Sequence, residues 1–218
     1  MFSDVAALHS AILAKEPKSF VSHHLFEPVP FAFGGDSEAW IEWKETLGGL
    51  IDVDPQNIVM TGSAAIGFSL NPRKRFKPFD TTSDFDCGII SDYYFDVAWR
   101  YLRQRRVAWL TLSRRNREAI DKHRKNYVFA GTIAADSMLA LLPFGATWQR
   151  ALDQMARIDP SKGRAVKLRI YKDFDCLRHY HASNVENLRD RIGGEPDPEI
   201  SADEDTTDIP LEGDNEPR

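Results

Sequence analysis

Cysteine is scarce in this chain of 218 residues: only Cys87 and Cys176 occur, each beside the run Asp-Phe-Asp. That excludes a disulfide framework, and the two read as reduced, half-buried thiols of a cytosolic protein rather than as a disulfide or a metal site. No stretch approaches eighteen uninterrupted apolar residues, which argues against a membrane span. The opening Met1-Phe2-Ser3-Asp4 lacks a basic region followed by an apolar core, which argues against a signal peptide. No Gly-Lys-Ser/Thr follows Gly62-Ser63, so a P-loop ATPase or GTPase is set aside. Positive charge is missing from one end: residues 194 to 218 hold ten acids and the single base Arg218. The net charge of -5 therefore divides into a mildly basic body and a strongly acidic tail.

What is present is ordinary for a globular protein, with 42% hydrophobic and 28% charged residues. Length and composition predict one domain over 1–192 and an acidic, disordered tail over 193–218, where apolar residues nearly vanish. The tail either folds back over basic surface as a nucleic-acid mimic or only solubilises.

The chemistry concentrates between residues 58 and 90. An apolar run, Ile58 to Met60, stops at Gly62-Ser63 and gives way to small and apolar residues through Leu70, the pattern of a buried strand breaking into a helix. Further on, Asp84 and Asp86 flank Phe85 and run into Cys87-Gly88-Ile89-Ile90. In a strand the two acids share one face while Phe85 enters the core on the other. Two carboxylates so close repel each other, and the natural compensation is a hard divalent cation such as Mg²⁺ carrying phosphates.

Gly62-Ser63 followed by Asp84-Phe85-Asp86 resembles the signature of the DNA polymerase β-like nucleotidyltransferase superfamily. The likeness spans about thirty residues, and the order strand, Gly-Ser, helix, strand with Asp-x-Asp is its specific part. The resemblance implies an α/β (α+β) fold with a mixed sheet flanked by helices. It implies metal-dependent transfer of a nucleoside monophosphate from a nucleoside triphosphate to an acceptor hydroxyl of RNA, tRNA, protein or nucleotide, as in compact stand-alone bacterial members of defence or toxin-antitoxin modules. In that reading Gly62 and Ser63 contact the triphosphate, and Asp84 and Asp86 hold Mg²⁺ or Mn²⁺. A third carboxylate is expected on the strand beside them. Asp136, the only charge between Tyr127 and Gly145, is the candidate for catalysis and metal binding; its alternative role is an N-cap for a helix starting at Asp136-Ser137. If the strand over 165–171 is the neighbour instead, the third position falls near Arg169, with Asp173 and Asp175 as fallback ligands. A base there suits the competing class, a catalytically degenerate relative that binds nucleotide or regulates a partner protein.

Two basic stretches add candidates. Arg73, Lys74, Arg75 and Lys77 lie in a loop between Pro72 and Pro78, either contacting triphosphate or nucleic-acid backbone or forming a solubilising surface loop. From Arg100 to Lys125 ten bases face two acids, interleaved with Trp99, Tyr101, Trp109 and Tyr127. That composition suits an RNA or tRNA acceptor, and equally a charged helix face.

Periodicity predicts helices over 3–15 (capped by Ser3), from Ser37 to about Leu50, over 93–104, over 148–158 and up to Ile192, with a strand over 165–171. Trp40, Ile41, Trp43 and Leu47 form the expected stripe of the second helix. The segment from Pro17 to Gly35 reads as irregular, with His23 and His24 solvated. His179 and His181 read as decorating the last helix.

Overall fold

The structure, a computed structural model, describes residues 2–71, 74–105, 113, 114, 117, 118, 120 and 127–194. The side chains of Arg105, Phe129, Asp136 and Ser137 lie outside that description, as does the acidic tail from residue 195 onward.

Helix α1 (Val5–Ala14) starts at Asp4 rather than Ser3, because the Asp4 carboxylate accepts the Ala7 N–H at 2.8 Å. The expected irregular segment holds a second helix, α2 (Pro17–Val21), running into a π-helical turn at Ser22–Phe26. Proline at the first helical position lacks only an N–H that would be unpaired anyway, and Glu16 caps the turn by accepting the Ser19 N–H at 2.9 Å. Phe20, Val21 and Leu25 are buried from this segment. Helix α3 (Ser37–Ile51) is capped by Asp36 and buries Trp43 and Leu47. Ile41, placed in the same stripe by sequence, is instead 49% exposed.

Strand β1 (Ile58–Thr61) leads into the short helix α4 (Gly62–Ile66), and after the connector come β2 (Phe85–Ile90) and helix α5 (Asp92–Arg105). The apolar segment after Tyr127 contains strand β3 (Thr132–Ile133) and helix α6 (Ala135–Met138). Helix α7 (Gly145–Met155), strand β4 (Val166–Tyr171) and helix α8 (Phe174–Gly193) complete the described chain. Asp173 caps α8 by accepting the Cys176 N–H at 2.7 Å.

The four strands form one mixed sheet in the order β1-β2-β4-β3, and the protein is a mixed α/β structure with helices flanking it. β2 and β4 are parallel, β1 is antiparallel to β2, and β3 is antiparallel to β4. A parallel pair needs a long crossover, and the chain from α5 through α7 provides it. One sheet face carries Phe85, Cys87, Ile89, Leu168 and Ile170, all buried in the main core with Trp43 of α3 and Trp148 of α7. The other face packs Val59, Ile90 and Tyr171 against Leu177 of α8. Position 88, on this second face, is glycine because a Cβ there would come 2.5 Å from Leu177 Cδ1. No helix among the described residues is long and apolar enough to cross a membrane.

Candidate nucleotide site

The site is built where β1 ends. Gly62 adopts φ +63°, and a Cβ on it would lie 2.7 Å from Asp86 Oδ2, so glycine is required both for the left-handed turn and for the approach of the acid. Thr61 stands opposite Asp86 in the β1–β2 register and donates from Oγ1 to the Asp86 carbonyl at 3.1 Å. Asp86 in turn stands opposite Lys167 of β4. Thr61, Asp86 and Lys167 therefore form a row across three strands, with Gly62-Ser63 beginning at its β1 end. Phe85 is fully buried between the two half-buried acids, as alternation along a strand requires.

Lys167 is the residue that sequence reasoning did not single out. Its Nζ donates to Asp84 Oδ2 at 2.5 Å, and the two side chains are 20% and 30% exposed. Sequence left open which strand lies beside the acids. That neighbour is β4. Asp136 therefore does not lie on the adjacent strand: it sits in α6, after β3, with β4 intervening. It is not the N-cap either, since the helix begins at Ala135 with Ala134 as cap. The position opposite Asp86 belongs to Lys167, two residues before the expected Arg169, which pairs with Gly88. Among the described residues, which exclude the Asp136 side chain, no group of three or more His, Cys, Asp or Glu side chains is arranged to hold a metal ion.

Arg169 lies against aromatic rings. Its guanidinium lies 5.4 Å from the Tyr127 ring centre and 5.0 Å from that of Tyr180, and it donates to the Tyr180 hydroxyl. Beside it His181 is buried, not surface decoration, with Nε2 at 3.4 Å from the Tyr171 hydroxyl. Burial first, and the Arg169 cation second, push this imidazole down to about 3. Asp173 serves as the helix cap described above.

The basic connector is a folded loop. The Ser69 N–H donates to the Lys77 carbonyl and the Phe79 N–H to the Gly67 carbonyl, which returns the chain to the end of α4. Lys77 bonds Thr82 Oγ1 at 2.7 Å and pairs with Asp80 at 3.1 Å. The Thr82 hydroxyl and N–H, with the Lys77 ammonium, hold the Asp80 carboxyl far below the usual carboxylate range. Arg164 then locks the loop to the start of β2, donating to the carbonyls of Asp80 and Ser83 while lying 4.6 Å from the Phe79 ring centre. Lys74 and Arg75 are exposed. Arg73 lies outside the described residues, as does most of the stretch from Arg100 to Lys125. Of its described members, Arg100 pairs with Asp96, Arg103 stacks on Trp99 and Arg114 pairs with Glu118.

At the opposite ends of β2 and β4 a cleft of about 450 Å³ is lined by Asp54, Asp92 and Asp173 among others. These acids are occupied as local caps of the Gln56, Tyr93 and Cys176 N–H groups.

Cys87 is buried and Cys176 half-buried, both as free thiols. Burial, with Asp173 beside it, pushes the Cys176 thiol up to about 11. Comparison with known proteins adds no family: no protein-family model, no curated protein and no solved structure matches the chain.

Proposed function

We propose that the chain is a nucleotidyltransferase-type protein that binds a nucleoside triphosphate across the row from Gly62 to Lys167 and transfers its nucleotidyl group to an acceptor hydroxyl, releasing pyrophosphate. The observation that supports this reading is the approach of the Asp86 carboxylate to Gly62, so near that a Cβ there would lie 2.7 Å from Oδ2, which joins the two halves of the motif in one place. Gly62 exposes backbone to the phosphates without a Cβ in the way, and Ser63 offers a hydroxyl and an N–H beside it. Asp84 and Asp86, both half-buried on one face, suit one hard divalent cation, Mg²⁺ or Mn²⁺, which when bound supplies Lewis-acid polarisation of the phosphoryl group. With Lys167 opposite Asp86, the row holds no third carboxylate for a second ion among the described residues. Lys74 and Arg75 provide exposed positive charge on the connector next to the phosphate turn.

The acceptor that the basic stretch from Arg100 to Lys125 favours is RNA such as tRNA, whose phosphates it would neutralise. A cytoplasmic location agrees with the two free thiols.

A second reading is a regulatory protein that binds nucleotide without turnover, and the Lys167–Asp84 ion pair favours it, because a cation already occupies one of the two acids. The test is incorporation of α-phosphate-labelled nucleoside triphosphates into total RNA or lysate protein with Mg²⁺ or Mn²⁺. Label lost in Asp84→Asn and Asp86→Asn supports transfer. Nucleotide binding with no label in any fraction supports the regulatory reading, and no binding at all sinks both.

A further inference from the structure

We infer that Lys167 is the fixed cation of this nucleotide site, taking over the role that a third carboxylate and a second divalent ion fill together in a two-metal centre. The inference rests on the nucleotide-binding reading above and names the counter-ion of that site.

Charge conservation carries the first step. A carboxylate with a divalent ion on it bears one net positive charge, which an ammonium bears by itself. Placing Lys167 opposite Asp86 on the strand beside the acids therefore leaves unchanged the charge that the site, with one divalent ion bound, presents to a triphosphate. Geometry carries the second. Lys167 Nζ lies 2.5 Å from Asp84 Oδ2, and its side chain is 20% exposed, so the ammonium is anchored at the acids but still reachable from solvent. An ammonium has three donors, and the bond to Asp84 uses one of them. The others are available to phosphate oxygens laid along the row from Gly62. Arg169, the next base on this face, stacks on Tyr127 and Tyr180, whereas Lys167 is the base opposite Asp86 and ion-paired with Asp84. Partial burial makes the charge effective, since a cation at the edge of a low-dielectric face attracts phosphate far more strongly than one in open water.

Two properties follow. The site takes one divalent ion per chain, and part of its nucleotide affinity survives without any. The ion and Lys167 also compete for Asp84, so removing the ammonium strengthens metal binding in the absence of nucleotide.

The experiment uses the full chain and a non-hydrolysable triphosphate analogue. Manganese stoichiometry is read by electron paramagnetic resonance, and analogue affinity in EDTA by calorimetry. The wild type is expected to bind one Mn²⁺ and to retain measurable analogue affinity in EDTA. Lys167→Met is expected to lower that affinity about tenfold or more, as for loss of a charge-assisted hydrogen bond, and to tighten Mn²⁺ alone. Lys167→Arg keeps the charge and is expected to hold the EDTA affinity within a few-fold of wild type. It also serves as the folding control should Lys167→Met unfold, in which case Lys167→Gln replaces the latter. Two Mn²⁺ per wild-type chain, or equal analogue affinity in EDTA for wild type and Lys167→Met, overturns the inference while leaving the nucleotide reading standing. Failure of the wild type to bind the analogue with or without Mn²⁺ overturns the nucleotide reading, and this inference falls with it.

Discussion

The two faces of the sheet are made from the same two strands taken alternately. On one, Phe85, Cys87, Ile89, Leu168 and Ile170 close against α3 and α7; the other carries Asp86, Gly88, Lys167 and Arg169, with Gly88 under Leu177 of α8. The first face is held by apolar burial, which is non-directional and roughly proportional to area. The second combines a small apolar cluster around Leu177 with specific pairings, Lys167 with Asp84 and Arg169 with its aromatic rings, because a charge removed from water must be matched by a partner. Alternation thus separates the two faces of the β2–β4 pair: the larger apolar core lies on one side, and the charged groups of the proposed site lie on the other.

The comparison is sharpest when one residue from each face is removed. Phe85→Ala deletes a fully buried ring from the closed face and is expected to lower stability by about 3–5 kcal/mol, read as a shift of the urea midpoint. Asp84→Asn on the charged face is expected to leave that midpoint within about 1 kcal/mol, since the asparagine oxygen still accepts from Lys167, while the proposed nucleotidyl transfer is expected to fall about 100-fold or more. If Asp84→Asn unfolds the protein as far as Phe85→Ala does, the division between the faces is wrong.

His181 tests the border, because it is buried behind the charged face. Its folded pKa is depressed to about 3 against an ordinary value of 6.5, so the folded protein resists a proton that the unfolded chain accepts. Its contribution to stability is complete above about pH 6.5 and is lost progressively as the pH falls towards 3. The expected loss is about 2 kcal/mol at pH 5. His181→Phe should flatten this limb of the stability profile between pH 7 and pH 5, and an unchanged slope would assign the acid sensitivity to other groups.

The smallest effect is expected deep on the closed side. Trp43 Nε1 donates to Ser161 Oγ at 3.0 Å, and Ser161 itself is bonded to the Met155 carbonyl at 2.7 Å. Trp43→Phe should cost about 1–2 kcal/mol, since Ser161 keeps its own acceptor and only one buried bond and a little packing are lost. Thermal unfolding of this variant beside Phe85→Ala gives the ratio of a polar to an apolar contribution within one core.

Local patterns were legible where one residue decides a local shape. Asp84-Phe85-Asp86 could sit only with Phe85 inward, and the small residues after Met60 could break only at Gly62. The Pro17 segment misled because proline stops a helix from within but starts one at its first position, and the same letter serves both. Ile41 misled because one apolar residue beside Trp40 and Trp43 widens a stripe on paper without needing cover in the fold.

By itself the sequence determined which residues alternate and where chains turn, because those depend on neighbours one to four positions away: the acids on one face and the bend at Gly62. Only the tertiary structure decided which strand lies beside β2. Pairing Asp86 with Lys167 joins residues eighty-one positions apart through a parallel register, and period-two alternation tells which face a residue takes but never which strand it meets. That choice put an ammonium where a third carboxylate was expected, and moved Asp136 off the adjacent strand.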